Sequence, residues 1–459
     1  MSRRDQLQAY RFVTRRIVGA MLAGEPETTD RPMRRLGIAT FSGLMVGALV
    51  LGGVGAFGLV RQGNARSWTD AKNVIVVKET GTRYVYRDGT LYPVLNYVSA
   101  RLLVGPDGGT VQVSARSLEG TPRGDMLGIP GAPDALPARD RLVTSAWAVC
   151  AGRTGPGADP FVGVLVGAGR DGRRLDGEGV LVRTPAGGTY LLLDSHRLAV
   201  RHGDQTLSSL GWASEDLMPV SPAFLEAVTA GPDLEPPAVD GAGSRGPAVG
   251  PYPRTTVGEV FQVGNEQQYF VLTRAGLAAI TPTAAFVLRE GADARRLTPG
   301  EFSAAPQDRT PALPEGYPRR RPTLTTMDTA SPPTLCARYP GGGGGQADVE
   351  VRLLDEVPAA LAAVPDVTAA RTATTLADRV AVPAGRGALV RALPAPGVDS
   401  GPVFVVTDQG VRHPVGSAAD VAALGYGEVT ATLVPTSFLG LLPIGPALSA
   451  RTAAIFAPR

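Results

Sequence analysis

The residues that could do chemistry are few and scattered in this sequence. The chain of 459 residues has three histidines, two cysteines and two lysines, Lys72 and Lys78. A phosphate-binding loop of the P-loop type needs a glycine followed by lysine and then serine or threonine, because the lysine reaches the β and γ phosphates. No glycine precedes either lysine. The sequence therefore excludes a Walker motif.

The histidines and carboxylates form no hydrolase or zinc motif. Neither a Gly-x-Ser-x-Gly elbow nor a His-Glu-x-x-His helix is present. His196 and His413 follow predicted strands in similar local sequences, and we expect these two at turns or on the surface. Neither they nor His202 are expected to act as catalytic bases. Glu226 and Asp233 form an acidic pair without supporting groups. We predict no catalytic, cofactor-binding or metal-binding residues, and no cofactor.

A long uncharged segment near the N-terminus predicts a membrane helix. Residues 36–60 carry no charge, and a helix of that length measures roughly 37 Å, enough for a hydrocarbon core about 30 Å thick. A cleaved signal peptide would have a shorter apolar region, and a buried helix would not need the flanking arginines. Because residues 1–35 hold eight arginines against four acids, the N-terminus is expected in the cytoplasm and residues 61–459 outside.

The charge distribution also bears on partners. The formal net charge is +3, and residues 1–35 alone contribute +4, so the remainder is about neutral. A nucleic-acid-binding domain would carry its basic residues on the folded body, so nucleic acid is not an expected partner. Apolar residues recur at helical spacing over residues 6–22, which predicts an amphipathic helix that binds either anionic lipid headgroups or a cytoplasmic partner.

The two cysteines, Cys150 and Cys336, lie in short apolar runs that resemble strands. Both fall on the predicted outer side of the membrane, where such a pair favours one disulfide that ties distant segments together. Two buried free thiols are the alternative. Metal binding would require further ligands nearby.

The region after the membrane helix contains internal repeats. Residues 188–234 align without a gap onto residues 402–448, and weaker copies begin near residues 84 and 269. The 98 glycines and prolines favour short strands joined by turns. We expect flexible joints or loops at 120–137, 231–253, 306–333 and 341–345.

The predicted fold is therefore α+β: an amphipathic helix, one transmembrane helix, and an elongated β-rich extracytoplasmic domain of four repeats around a disulfide-stapled central domain. The expected repeats cover about 70–125, 185–235, 255–305 and 400–450, and the expected central domain covers about 138–184 and 330–399.

Several sequence stretches together resemble the EccB family over nearly the whole chain. The ordered combination carries the resemblance, and its parts are Gln6–Phe12, Arg15, Arg16, Ala20, Asp30, Pro32 and Met33, Arg83–Val85, Leu91–Asn96, Ser99–Leu102, the cysteine pair, and Pro383–Val390. The departures are a long insert at 231–253 and the glycine run at 341–345.

The resemblance implies a structural subunit of the type VII (ESX) secretion system in the inner membrane of actinobacteria. It implies EccC-like motor ATPase, EccD-like and EccE-like partners, and four repeats around a central domain with a disulfide. The family's repeats are similar to a cell-wall-binding subunit of a phage lysin, so a peptidoglycan-binding module is one alternative. Some members are labelled ATPases, so an ATP-hydrolysing subunit without a Walker motif is the other. Enzymatic activity is left open here.

Overall fold

Two helices begin the chain. The computed structural model describes residues 3–23, 32–62, 67–153, 155, 158–264, 267–310, 313–326, 333–341, 349–366, 376–395, 397–398 and 400–455. Helix α1 (Arg3–Ala23) contains the predicted amphipathic segment, and helix α2 (Pro32–Gln62) contains the predicted span. Asp30 and the glycines at 342–345 lie outside the described residues.

Sheet 1 is a four-stranded sheet that follows α2. Its first three strands form an antiparallel meander, and its fourth strand returns parallel to the first. Asn96 caps the intervening helix because its side chain accepts a hydrogen bond from the Ser99 amide at 2.9 Å. The elements are β1 (Asn73–Val77), β2 (Arg83–Arg87), β3 (Thr90–Pro93), α3 (Tyr97–Val104) and β4 (Gly109–Val113).

A central sheet and sheet 2 come next. The first strands of the central sheet are β5 (Trp147–Gly152), β6 (Phe161–Val166) and β7 (Arg173–Arg174). Sheet 2 and its helices consist of β8 (Glu178–Arg183), β9 (Thr189–Leu193), β10 (His196–Ala199), α4 (Gly203–Ser209), β11 (Met218–Pro219), α5 (Pro222–Ala227) and β12 (Thr229–Ala230).

Sheet 3 has the same order of elements, and a short strand after it returns to sheet 2, where β18 pairs with β8. The elements are β13 (Val260–Val263), β14 (Gln268–Leu272), β15 (Leu277–Ile280), α6 (Pro282–Arg289), β16 (Arg295–Leu297), α7 (Pro299–Ala304), β17 (Gln307–Asp308) and β18 (Thr323–Leu324).

The chain then completes the central sheet and forms sheet 4. The remaining central elements are β19 (Thr334–Tyr339), β20 (Glu350–Leu354), α8 (Ala359–Ala362) and β21 (Arg379–Ala381). Sheet 4 and its helices consist of β22 (Ala388–Leu393), β23 (Val403–Val406), β24 (Arg412–Pro414), α9 (Ala418–Ala423), β25 (Thr432–Pro435), α10 (Thr436–Gly440) and α11 (Ala450–Ala453).

Sheets 1 to 4 share one plan. In each, a three-stranded meander is followed by a helix and by a strand parallel to the first strand. A fifth segment then runs parallel to the third strand, as β12 in sheet 2, as β17 in sheet 3, and as isolated bridges in sheets 1 and 4. The predicted α+β class with a β-rich region is confirmed.

The strand pairing differs from the expected boundaries at two places. β8 lies in the segment assigned to the central domain, yet it is the first strand of sheet 2, and β22 has the same relation to sheet 4. The sequence similarity begins only at the second strand, because the loops that follow β8 and β22 differ in length. The division of the chain into domains stays a prediction, with these two strands better grouped with the repeats.

The central sheet has an approximate twofold arrangement. Its strand order is β21-β6-β5-β19-β20-β7, so two hairpins meet at the β5–β19 pair. Cys150 faces Cys336, with Leu335 opposite Ala151 on one side and Ala337 opposite Val149 on the other. The pairing of β5 with β19 is therefore symmetric about the cysteine pair.

Buried apolar clusters join the sheets in pairs. One cluster contains Val85 of sheet 1 and Val405 of sheet 4, and another contains Leu191 of sheet 2 and Val271 of sheet 3. The largest cluster joins the central sheet to sheets 2 and 4. Each sheet of the first half of the chain thus packs against a sheet of the second half.

Candidate functional site

The three histidines do not come together. His196 is exposed at the start of β10, and His202 is exposed with a left-handed φ of 59° just before α4. The surface position expected for His413 was wrong, because His413 is only 4% exposed within β24. Its Nδ1 lies 3.3 Å from the Pro446 carbonyl oxygen, and burial lowers the pKa of the imidazole.

The acidic pair singled out in the sequence is engaged by arginines. A carboxylate oxygen of Asp233 accepts a hydrogen bond from Arg201 Nε at 2.7 Å, and Glu226 lies 3.6 Å from Arg197. Among the described residues, no three His, Cys, Asp or Glu side chains are grouped as a metal site would require. Each carboxylate therefore forms an ion pair with an arginine at the surface of sheet 2, and the two do not act together as a catalytic acid and base.

The charged groups of the central sheet hold a neighbouring loop. Arg352 donates to the carbonyl oxygens of Arg170 and Gly172 at 2.8 and 2.7 Å. Glu350 lies 3.3 Å from Arg352 and 3.7 Å from Arg338. Burial lowers the pKa of the Arg338 guanidinium, and the nearby Glu350 carboxylate opposes this effect. These charged side chains therefore bind backbone carbonyl groups and one another, and they stabilise the loop before β7.

The cysteines form the predicted disulfide. Cys150 and Cys336 bond across adjacent strands with their Cα atoms 4.0 Å apart, and 186 residues separate them in sequence. Both are buried, at 0% and 4% exposure. The bond joins the two hairpins of the central sheet.

The segment from residue 120 to residue 142, here the first strap, crosses sheet 4. The Tyr426 hydroxyl donates to the Pro137 carbonyl at 2.6 Å, and Arg139 donates to the Gly425 carbonyl. Leu142 then forms a parallel bridge with Gly387, beside the first strand of sheet 4. The expectation for 120–137 was a flexible joint or a loop, and the segment is a loop whose C-terminal end and the residues after it are fixed to a sheet far away in sequence.

The segment from residue 309 to residue 326, here the second strap, crosses sheet 2 in the same way. Within its described residues, the Tyr317 hydroxyl donates to the Glu235 carbonyl at 3.0 Å, and Arg321 donates to the Leu210 carbonyl at 3.0 Å. Here too the sequence suggested a flexible joint or a loop. The tyrosine lies on the sheet 4 side of the first contact and on the strap itself in the second, and in both cases an arginine of the strap donates a further hydrogen bond to the sheet region.

The N-terminal helices present apolar side chains on their surface. Residues 37–55 of α2 are long and apolar enough to cross a membrane, and none of this stretch is buried in the protein. On α1, Tyr10, Phe12 and Met21 are 75%, 66% and 84% exposed, among arginines. No other helix in the described part of the chain meets the criteria for a span.

Comparison with known proteins shows what this arrangement belongs to. The family model described as "Type VII secretion system ESX-1, transport TM domain B" matches residues 1–457. The chain belongs to the EccB family. An EccB chain is a component of the core inner-membrane complex of an ESX type VII secretion system, and the resemblance seen in the sequence is confirmed.

Curated EccB relatives match over most of their length. The ESX-3 secretion system ATPase EccB3 of Mycolicibacterium smegmatis is 31% identical, covering 97% of this chain and 89% of that protein. The ESX-2 secretion system ATPase EccB2 of Mycobacterium tuberculosis is 32% identical, covering 84% of this chain and 81% of that protein.

Solved EccB structures have the same fold. A chain of an intact ESX-5 inner membrane complex matches with a TM-score of 0.68 at 26% identity, covering 100% of this chain and 96% of that chain. A chain of the EccB3 dimer from the ESX-3 core complex matches with a TM-score of 0.67 at 28% identity, covering 83% of this chain and 99% of that chain. A structural role agrees with these matches.

Sequence reasoning missed the straps that hold this EccB chain together. The signal was weak because the straps are rich in glycine and proline, which suggest loops. The one clue in the second strap is Tyr317, followed closely by Arg321. A tyrosine in a glycine- and proline-rich stretch can be buried, and its hydroxyl then needs a hydrogen-bond partner elsewhere in the fold.

Proposed function

We propose that this EccB chain anchors and braces an ESX export complex, with its N-terminus in the cytoplasm and its β-rich region outside the inner membrane. The observation that carries the proposal is the stretch 37–55 of α2, which is apolar and unburied and precedes the interlocked sheets. Apolar side chains in that setting need lipid or other membrane helices around them. Arginines on the N-terminal side favour the cytoplasmic orientation.

The interlocked sheets support a bracing role. Sheet 1, directly after the membrane helix, packs on sheet 4 at the far end of the sequence. A force applied at the membrane helix is therefore transmitted to the whole β-rich region and not to a single repeat. Partners on this body would be held at fixed positions relative to the membrane.

The partners in this proposal are EccC-like motor ATPase, EccD-like and EccE-like membrane subunits. Blue-native electrophoresis with mass spectrometry on a gently extracted, tagged chain is the test. Recovery in a large particle with these three subunits is the expected result. Recovery of the chain alone would contradict the proposal. Orientation is tested separately by labelling cysteines introduced at exposed Arg3 and exposed Ile455 with a membrane-impermeant reagent, which should modify only the second in intact cells.

ATP hydrolysis is a second candidate, favoured by the names of the related EccB3 and EccB2 proteins, which are called ATPases. The sequence has no Gly-Lys pair, so any nucleotide site would differ from a Walker motif. Measuring phosphate release by the purified chain in the absence of any motor subunit decides the matter. Turnover that survives extensive purification would establish an enzyme, whereas activity that disappears with the motor subunit belongs to that subunit.

A further inference from the structure

Helix α1 carries an apolar stripe, here the α1 stripe, that the described part of the chain leaves uncovered. Its members are Leu7, Tyr10, Val13, Ile17 and Met21. They recur every three or four residues, which places them within an arc of about 120° on one side of the helix. Each of them is between 53% and 84% exposed. An apolar surface that runs along about four helical turns needs an apolar partner.

Arginines flank the α1 stripe on both sides. Arg11 and Arg15 lie along one flank and Arg16 lies along the other. All three side chains are exposed, and they form no ion pair with a described residue. An arginine can lay its aliphatic stem along an apolar surface and present its guanidinium to phosphate groups at the edge of that surface. The stripe and its flanks are therefore complementary to a surface with an apolar interior and an anionic boundary.

Such a surface lies within reach of α1 if α2 spans the membrane, and the inference rests on that part of the proposed function. The stretch of α2 that can span begins at residue 37. Residues 24–31 separate the two helices, and a chain of eight residues extends at most roughly 26–29 Å. Because this short tether keeps α1 beside the lipid, even a weak interaction gives a large bound fraction.

We propose that α1 lies on the surface of the membrane that α2 spans and binds anionic phospholipid there. The α1 stripe contacts the acyl chains, the flanking arginines pair with lipid phosphates, and Gln8 and Phe12 on the opposite face stay in water. A groove in another protein could also cover the stripe. The charge pattern favours lipid, because an anionic lipid surface surrounds the stripe and attracts cations on both of its flanks.

The test uses the purified full chain, without other subunits, in nanodiscs of phosphatidylcholine alone or of an equal mixture with phosphatidylglycerol. A nitroxide is attached to a cysteine introduced by Ile17→Cys or by Gln8→Cys. The native cysteines do not react, because Cys150 and Cys336 are buried and joined in a disulfide. In the anionic nanodiscs, oxygen should reach the Ile17 label and a water-soluble nickel complex should not. The Gln8 label should show the reverse.

Charge variants test the role of the arginines. R11Q/R15Q should lower the ratio of bound to free α1 in anionic nanodiscs by roughly 10- to 30-fold, because each arginine close to such a surface contributes about a 5-fold factor. The two components in the spectrum of the Ile17 label give this ratio. R319Q/R320Q removes two exposed arginines of the second strap and should leave the ratio unchanged.

An Ile17 label that the nickel complex reaches in anionic nanodiscs would overturn the proposal, and so would an unchanged ratio in R11Q/R15Q. Protection that arises only after other subunits are added would assign the α1 stripe to a protein. A label at Leu49, which is 67% exposed in α2, separates these failures from failure of the anchor. It should be protected in both kinds of nanodisc, and a Leu49 label in water would contradict the proposed membrane span itself.

Discussion

Cys150 and Cys336 lie directly opposite each other on β5 and β19, at the point around which the pairing of the central sheet is symmetric. Each cysteine belongs to a different hairpin, and each hairpin leads into a different half of the chain. The disulfide therefore links the two halves at their shared centre.

Replacing both cysteines by alanine should lower the free energy of unfolding by about 3–5 kcal/mol, because the bond closes a loop of 186 residues in the unfolded chain. Chemical denaturation of the extracted chain, with and without reductant, measures the loss. Reductant should destabilise the native protein under denaturing conditions and have no effect on the double variant. A double variant as stable as the oxidised protein would show that the bond contributes nothing.

Removing the Tyr426 hydroxyl should loosen the first strap. Tyr426→Phe leaves the Pro137 carbonyl without its donor at 2.6 Å, and the expected loss is about 1–3 kcal/mol. Tyr190→Phe is the control, since its side chain is half-buried but makes no hydrogen bond to a described residue. Urea denaturation should separate the two variants, and equal stabilities would mean that this bond does not hold the strap.

His413 should make the stability of sheet 4 depend on pH. Because burial lowers the pKa of the folded-state imidazole below its ordinary value of 6.5, the unfolded state binds more protons as the pH falls. The free energy of unfolding should therefore decrease below about pH 7 and level off under the lowered pKa. His413→Gln should flatten this part of the curve, and His196→Gln, at an exposed position, should not. A flat curve for the native protein would refute the account.

Two glycines of sheets 3 and 4 should respond oppositely to alanine. A Cβ at Gly401 would clash with the Ala392 carbonyl oxygen, so Gly401→Ala should destabilise by more than about 2 kcal/mol through displaced backbone. Gly300, inside α7, has open space around the same position, and Gly300→Ala should stabilise by up to about 1 kcal/mol. Thermal unfolding of the two variants compares them directly. Shifts in the same direction would contradict the steric argument.

The sequence alone predicted the features that a local pattern or a simple count of residues reveals. An uncharged stretch flanked by arginines predicts a long apolar helix whatever follows it, and α2 bears this out. The cysteine pair predicted its bond because only two cysteines exist. Repeats were visible from their second strand onward, since turn and packing residues there recur at constant spacing.

The remaining features depend on contacts between distant residues. β8 and β22 are apolar strands that fit any sheet interior, so their membership follows from pairing and not from composition. The straps appear as loops because their hydrogen-bond partners lie across the molecule, with Tyr426 and Pro137 separated by 289 residues. The burial of His413 depends on the fifth segment of sheet 4, which no local pattern reveals.

The packing of sheet 1 against sheet 4 sets the order in which the protein can mature. Sheet 1 is synthesised first, and its apolar face is covered by residues such as Val405 and Tyr426 that are synthesised last. During synthesis, this face of sheet 1 stays exposed until nearly the whole chain has been made. Long-range closure of this kind folds slowly and is prone to aggregation, so we expect a chain truncated before sheet 4 to leave the apolar face of sheet 1 exposed and to aggregate or be degraded.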